Sequence, residues 1–375
     1  LQVIEPFRDI VEAEGDAEQR HHFWSDYAYV LKSAQRLHDT ADALRKAIAS
    51  AQLAGDYAEL ATLTSNLAVL VGNFGVPQES LDHGKRARAL RDPLGQVGGP
   101  AAGAIDLYIA VANGALGRYS EALEDFERAT GCFADNGQTI WTVLAANHHA
   151  ALLVHLGQYA RAQQLTATEA GTAHGIEARR QMLRGRIQRA LGTSSGEAAI
   201  ETALAIVGPQ GDHVVRMLVR LEATLALAPL EAAAACARLC SEAEATEHVA
   251  IAARARVMRI ACLTRAAALA GERAELDAVA ALIDRVQPAD MYLPEAWWIL
   301  TQAYDALGAT AEADAALARA YEWAVERALP NVPAAFRESF LHRNAANRDL
   351  IAAAGRRLGL RLPPAANGAT RITKQ

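Results

Sequence analysis

Leu116-Gly117-Arg118-Tyr119-Ser120-Glu121-Ala122-Leu123-Glu124-Asp125-Phe126-Glu127-Arg128-Ala129 is the stretch on which the fold is read. Its skeleton is a Leu-Gly pair, an aromatic residue, then Ala122, Phe126 and Ala129 spaced as one helix face. It returns as Leu156-Gly157-Gln158-Tyr159 with Ala162, and as Leu307-Gly308 with Ala313, Leu317 and Ala320. Weaker copies stand at Phe74-Gly75, Leu191-Gly192, Leu227-Ala228 and Ala270-Gly271, so the spacing is about 35–42 residues, the period of helix-pair arrays. Arrays of this kind build a curved surface that holds a partner rather than a closed catalytic pocket.

Each position in the signature has a physical reason. Glycine at the turn reaches positive φ and leaves room for a neighbouring helix. Tyr119 and Tyr159 open the second helix by covering that turn. Ala122, Ala129 and Ala162 are small where helices cross closely, and Phe126 fills the space beyond. The last copy adds the upstream half: Trp297, Leu300 and Tyr304 share one helix face. Composition agrees, because hydrophobic residues make up 51% of the 375 while aromatics are only 6%, which suits Ala- and Leu-rich helix-on-helix packing. The expectation is an all-α protein. Residues 1–19 read as an acidic lead-in and 20–329 as repeats. Helix pairs are expected at 21–53, 57–90, 101–134 and 139–173, and from Glu177 with a loop at 192–196. The sixth pair should turn at Pro229 and the seventh at Gly271, and the eighth should cover 293–328. Residues 330–360 read as capping helices, with Phe336, Phe340, Leu341, Leu350 and Ile351 as their apolar stripe, and 361–375 as a disordered tail.

The signature resembles the tetratricopeptide repeat, which implies a right-handed superhelix of about eight helix pairs closed by a C-terminal capping segment. A second resemblance lies beyond the repeats. Pro330-Asn331-Val332-Pro333, Phe336-Arg337-Glu338-Ser339-Phe340-Leu341 and Asn344-x-x-Asn347-Arg348 are similar to the segment closing many bacterial multidomain signalling ATPases and transcriptional activators of the STAND type. That similarity implies a sensor or docking arm of a cytoplasmic regulator. No phosphate-binding loop G-x-x-x-x-G-K-[ST] occurs in the chain, so the ATPase activity of such proteins is not carried over. The chain begins at Leu1, which reads as a piece of a longer polypeptide. The alternative reading is a stand-alone scaffold or peptide receptor.

The formal net charge of -6 gives no electrostatic footing for nucleic acid, and no apolar run is long enough to span a membrane. Cys132, Cys236, Cys240 and Cys262 follow no disulfide or zinc spacing and read as small thiols in a reducing compartment. His21-His22 and His148-His149 are neighbours that diverge by about 100° on a helix, so neither pair chelates unaided. Ser194-Ser195 lacks a triad context. No cofactor, metal or catalytic constellation is expected.

In the tetratricopeptide arrangement the first helix of each pair lines the concave face. Counting back from each Leu-Gly gives the candidate ligand-binding set: Asn73 from the second pair, Asn147 and His155 from the fourth, Arg179, Arg186 and Arg189 from the fifth, and Trp298 and Gln302 from the eighth. Arg179, Arg180, Arg184, Arg186 and Arg189, with Arg254, Arg256, Arg259 and Arg265 further on, form a local reversal of sign in an acidic chain. Arginine forks bind carboxylate or phosphate, so the expected partner is a protein or an acidic peptide, or a small-molecule effector. The competing reading pairs these arginines with Glu177, Glu197, Glu201 and Glu222 between repeats.

Overall fold

The computed structural model describes residues 3–95, 98–169, 171 and 173–363, and these form helices with no strand among them. A short α1 (Arg8–Glu14) precedes the tandem array: α2 (Ala17–Ser33) with α3 (Leu37–Ala54), α4 (Tyr57–Asn73) with α5 (Pro77–Arg91), α6 (Pro100–Ala115) with α7 (Tyr119–Asp135), and α8 (Thr139–His155) with α9 (Tyr159–Leu165). The array continues as α10 (His174–Ala190) with α11 (Gly196–Val207), α12 (His213–Ala223), α13 (Pro229–Ala245), α14 (Val249–Arg265), α15 (Arg273–Ile283), and α16 (Leu293–Ala306) with α17 (Thr310–Tyr321). A π-helical turn, Glu322–Ala328, leads to α18 (Arg337–His342) and α19 (Ala345–Leu358).

Local chemistry sets these boundaries. Asp16 accepts from the Gln19 amide at 2.8 Å while Gln19 accepts from the Asp16 amide at 3.1 Å, a capping box that starts α2. Asp56, Asp212 and Asn344 cap α4, α12 and α19. Pro77, Pro100 and Pro229 open α5, α6 and α13, where a missing N–H costs nothing.

The Leu-Gly turn has one geometry throughout. At Gly117, φ is +77°, and the Arg118 amide donates back to the Asn113 carbonyl at 2.9 Å. Gly157 and Gly308 repeat this, with bonds of 2.8 Å from Gln158 to Leu153 and 2.9 Å from Ala309 to Tyr304. Gln35, Glu247 and Ala267 take the same positive-φ role without being glycine. Two expected turns are corrected. Between α14 and α15 the chain turns at Ala267 rather than Gly271, with the Ala268 amide bonded to Leu263 at 3.0 Å, and Gly271 follows in the loop. At Leu227-Ala228 the chain is extended, with ψ of 159° at Leu227, and α13 simply restarts at Pro229. There α13 packs most closely along α14 rather than α12.

Tyr119, Ala122, Phe126 and Ala129 are all buried in one core with α8, as the signature requires. Trp297, Leu300 and Tyr304 join Ala313, Leu317 and Ala320 in another. The array does not remain an open arc. The Gln287 amide donates to the Gly75 carbonyl at 2.8 Å, and the His38 amide donates to Glu247 Oε2 at 2.7 Å. Ser120 Oγ reaches the Asn331 carbonyl at 2.9 Å, and Ser339 Oγ donates to the Leu156 carbonyl at 2.8 Å. Three successive turns, at Gly75, Gly117 and Gly157, therefore carry segments from the last third of the chain.

The segment expected to cap the eighth pair divides its work. Leu350, Ala353 and Ala354 of α19 do cover α16 and α17. Phe336 and Phe340 instead enter the core of Tyr119 and Phe126, and Asn344 Nδ2 donates to the His155 carbonyl at 2.8 Å. The acidic lead-in is partly helical and is held by Trp24 Nε1 to Glu12 at 3.0 Å and Tyr27 Oη to Glu5 at 3.2 Å. Of the expected tail, Arg361 accepts a hydrogen bond from Tyr321 at 2.6 Å, and 364–375 lie outside the described residues.

A Cβ on Gly75 would sit 2.5 Å from the Gln287 carbonyl oxygen and 2.8 Å from Val286 Cγ1, whereas one on Gly308 would meet nothing within 4 Å. Both have positive φ. Gly308→Ala is expected to lose the left-handed backbone cost of about 1–2 kcal/mol, and Gly75→Ala a further 1–3 kcal/mol or so from overpacking. Denaturant unfolding of both variants measures the difference, and equal losses would show that the Gly75 contact bears no strain.

Candidate functional site

The closed array leaves a partly open cavity of about 240 Å³ on the inner side of the helices. Alternate helices supply its walls: Tyr108 from α6, His148, Ala151 and His155 from α8, Arg179 from α10, and Ile251 from α14. Pro77 and Ser80 of α5 and Phe126 of α7 also reach it. Residues 287–292, the connection between α15 and α16, cross one side of the space.

That crossing segment is tied on several sides. Besides the bond to Gly75, the Ala289 amide donates to the Ala250 carbonyl at 2.9 Å. Arg179 Nη2 donates to Asp290 Oδ1 at 2.6 Å, and Arg186 Nη1 to the Asp290 carbonyl at 3.3 Å. Tyr292 Oη donates to Asn347 Oδ1 at 2.9 Å, joining the segment to α19. Asp290 adopts φ of +52°, a conformation uncommon for residues other than glycine but accessible to aspartate. Burial disfavours its charge, yet Arg179, Arg186 and Arg254 hold the carboxyl well below the usual carboxylate range.

His148 and His155 stand two turns apart on α8 and both face the cavity. Burial lowers the His148 ring to about 3, helped by Arg179, and His155 to about 4, helped by Arg186. Both rings are neutral near pH 7. Neither ring, nor the Tyr108 hydroxyl, has a hydrogen-bond partner among the described residues; His155 packs against the Tyr292 ring at 5.2 Å. His149 points elsewhere, stacked on Phe126 at 5.3 Å, and burial brings it to about 4.

Next to the cavity is a buried charge cluster. Glu222 accepts from Arg186 Nε at 2.8 Å, Arg189 Nη1 at 2.7 Å and Arg254 Nη2 at 2.7 Å. Burial would raise its pKa, but the three guanidinium groups bring it to about 2. Arg189 also pairs with Glu197 at 2.9 Å, and Arg180 with Glu177.

The eight sequence candidates therefore separate. Asn73, His155 and Arg179 come together at the cavity, Asn73 on an exposed stretch of its wall. Asn147 is fully buried, and its Nδ2 donates to the Ile176 carbonyl at 3.1 Å, joining α8 to the start of α10. Arg186 and Arg189 belong to the Glu222 cluster, the inter-repeat pairing weighed above. Trp298 is half-buried against the core of α16 and α17, and Gln302 is exposed; neither lines the cavity. Sequence reasoning missed Tyr108, Asp290 and Tyr292, and treated His148 only as a metal candidate. The position of Asp290 in a loop across the array had no signal in the local sequence, where Gln287-Pro288 reads as a terminator.

Among the described residues, no three or more His, Cys, Asp or Glu side chains are grouped to hold a metal ion, and no helix is long and apolar enough to cross a membrane. No protein-family model matches the chain, and no curated protein does. A solved structure described as a circular tandem repeat protein with novel repeat topology and enhanced subunit contact surfaces aligns with 95% of this chain and 89% of its own at 14% identity. Its TM-score of 0.20 carries no argument about this protein.

Two outcomes follow from the buried charges. Glu222→Ala leaves three arginines without their shared carboxylate and should cost about 3–5 kcal/mol in denaturant unfolding; a loss under about 1 kcal/mol would mean that solvent compensates them. Histidines protonate near 6.5 in the unfolded chain but at about 3 to 4 here for His148, His149 and His155. Between those values the unfolded state holds more protons, so stability falls as pH drops from 6.5 toward 4. On unfolding near pH 5 these residues should bind about two to three protons from solvent, measurable from the slope of stability against pH. Zero slope would contradict neutral burial.

Proposed function

We propose that this chain is a non-catalytic effector-binding repeat domain that holds a small molecule in the cavity behind residues 287–292. The observation that carries this reading is the recessed space on the inner side of the array, lined by His148, His155 and Tyr108, none of which has a hydrogen-bond partner among the described residues. Pockets of this kind, mostly apolar with a few convergent polar groups, are how proteins hold small ligands. Residues 287–292 line one side of the space, which favours a small molecule over an extended peptide. The finer reading is a right-handed tetratricopeptide superhelix of about eight pairs, serving as the sensor arm of a cytoplasmic bacterial signalling or transcriptional regulator. It is supported by the Leu-Gly signature and by the closing segment around Phe336, Phe340 and Asn347. Occupancy would act by population shift, favouring whichever arrangement of residues 287–292 the ligand contacts better.

Ala151 lines the cavity from the middle of α8. Ala151→Phe should fill it and abolish the thermal stabilisation given by any small-molecule hit from a metabolite screen, while the helical circular dichroism spectrum is retained. Hits that stabilise the folded variant as strongly as the unaltered protein would place the ligand elsewhere.

A further inference from the structure

The chemistry of the cavity wall restricts its occupant, granting the small-molecule reading above. Of the charged side chains on the wall, Arg179 and Asp290 are already paired with each other at 2.6 Å. Of the three imidazoles on the wall, His148 and His155 are uncharged, and burial also lowers the pKa of His248. An entering carboxylate or phosphate would be desolvated beside the ionised Asp290, and an entering ammonium beside Arg179, and among the described residues of the wall neither would meet an unpaired opposite charge. Among its small aliphatic residues the wall carries the rings of Tyr108, His148, His155, His248, Tyr292 and Trp323, with Tyr292 and Trp323 edge to face at 5.4 Å. Ring faces and edges of this sort favour a flat aromatic guest. A cavity of about 150 Å³ accepts benzene, so 240 Å³ suits two fused rings.

Polar complementarity then sets the guest's substituents. A neutral imidazole has one donor and one acceptor nitrogen, and the Tyr108 hydroxyl both donates and accepts. These groups can match a hydroxyl, carbonyl or ring N–H without requiring charge. His148 and His155 lie two turns apart on α8, with Asp290 electrostatically coupled to both.

We propose that the cavity selects a neutral, flat, fused-ring aromatic molecule carrying a hydroxyl, carbonyl or N–H group that bonds to His148 or His155. The charge rule distinguishes this from a site for acidic metabolites, which the arginine-rich sequence would suggest.

The probes are 2-naphthol and 2-naphthoate, alike in size but neutral and anionic at pH 7. Binding to the full chain is followed by calorimetry and by the fluorescence of Trp323, with Trp323→Phe assigning that signal. 2-Naphthol should bind saturably, and 2-naphthoate at least tenfold more weakly. The double substitution His148→Leu with His155→Leu, close to histidine in side-chain volume but without its hydrogen-bonding nitrogens, should weaken 2-naphthol by about tenfold, the value of a lost hydrogen bond. Ala151→Phe should abolish binding of both probes. If 2-naphthoate binds as well as 2-naphthol and Ala151→Phe removes it, the cavity is a ligand site but the neutral class is overturned. An unchanged 2-naphthol affinity in a folded double variant overturns the histidine assignment. If neither probe binds, the fused-ring inference fails while the cavity reading is still decided by the metabolite screen; if binding survives in folded Ala151→Phe, the cavity reading itself fails, and with it this inference.

Discussion

The structure depends on backbone meeting backbone where a side chain is missing. At Gly75 and Gly157 the helix turn presents no Cβ, and the space is taken by main chain from far along the sequence, around Gln287 and Ser339. Positive φ and close approach are both demanded at these two positions, and only glycine supplies both without strain. The same turn at Gly308 is free of contact and needs only the first property. The early Leu-Gly pairs thus serve two purposes. They reverse the chain within a helix pair, and they form the surface on which the later third of the protein rests.

Closure also explains why the charged groups lie where they do. Once residues 287–292 cross the inner face, Asp290 and the inward-facing arginines of α10 are removed from water together. A single buried charge would be untenable there, so each is matched: Arg179 with Asp290, and Arg186, Arg189 and Arg254 around Glu222. Burial of ion pairs is weak evidence for net stabilisation, because desolvation offsets much of the attraction. Their more certain effect is on register, since sliding one helix along another would separate several pairs at once.

Much of this was legible from the chain alone where chemistry is local. The Leu-Gly turns, the tyrosines that follow them and the small residues at helix crossings depend on neighbours within a few residues, and they are found as expected. Turns at Gln35, Glu247 and Ala267 were invisible because the backbone there takes a glycine-like conformation without glycine. For the site, Asn73, His155 and Arg179 could be counted onto the inner face from the repeat period. Asp290 could not, because its place is fixed by the bond from Gln287 to Gly75, across more than half the chain. The arginine cluster misled in a specific way. A run of arginines records only their own spacing, whereas Glu222, the carboxylate they share, lies 33 residues beyond Arg189.

The contacts that close the array also change how it should unfold. In an open repeat array each unit touches only its neighbours, so ends can fray and stability accumulates unit by unit. Here Ser120 is bonded to Asn331 and Leu156 to Ser339, linking segments that fraying would release separately. Loss of the C-terminal segment would strip the turns after α6 and α8 as well as a face of α16 and α17. The protein should therefore respond as one cooperative body. Bonds over such sequence separations form late and slowly, so the closed form would be completed only after most of the helices have already been paired.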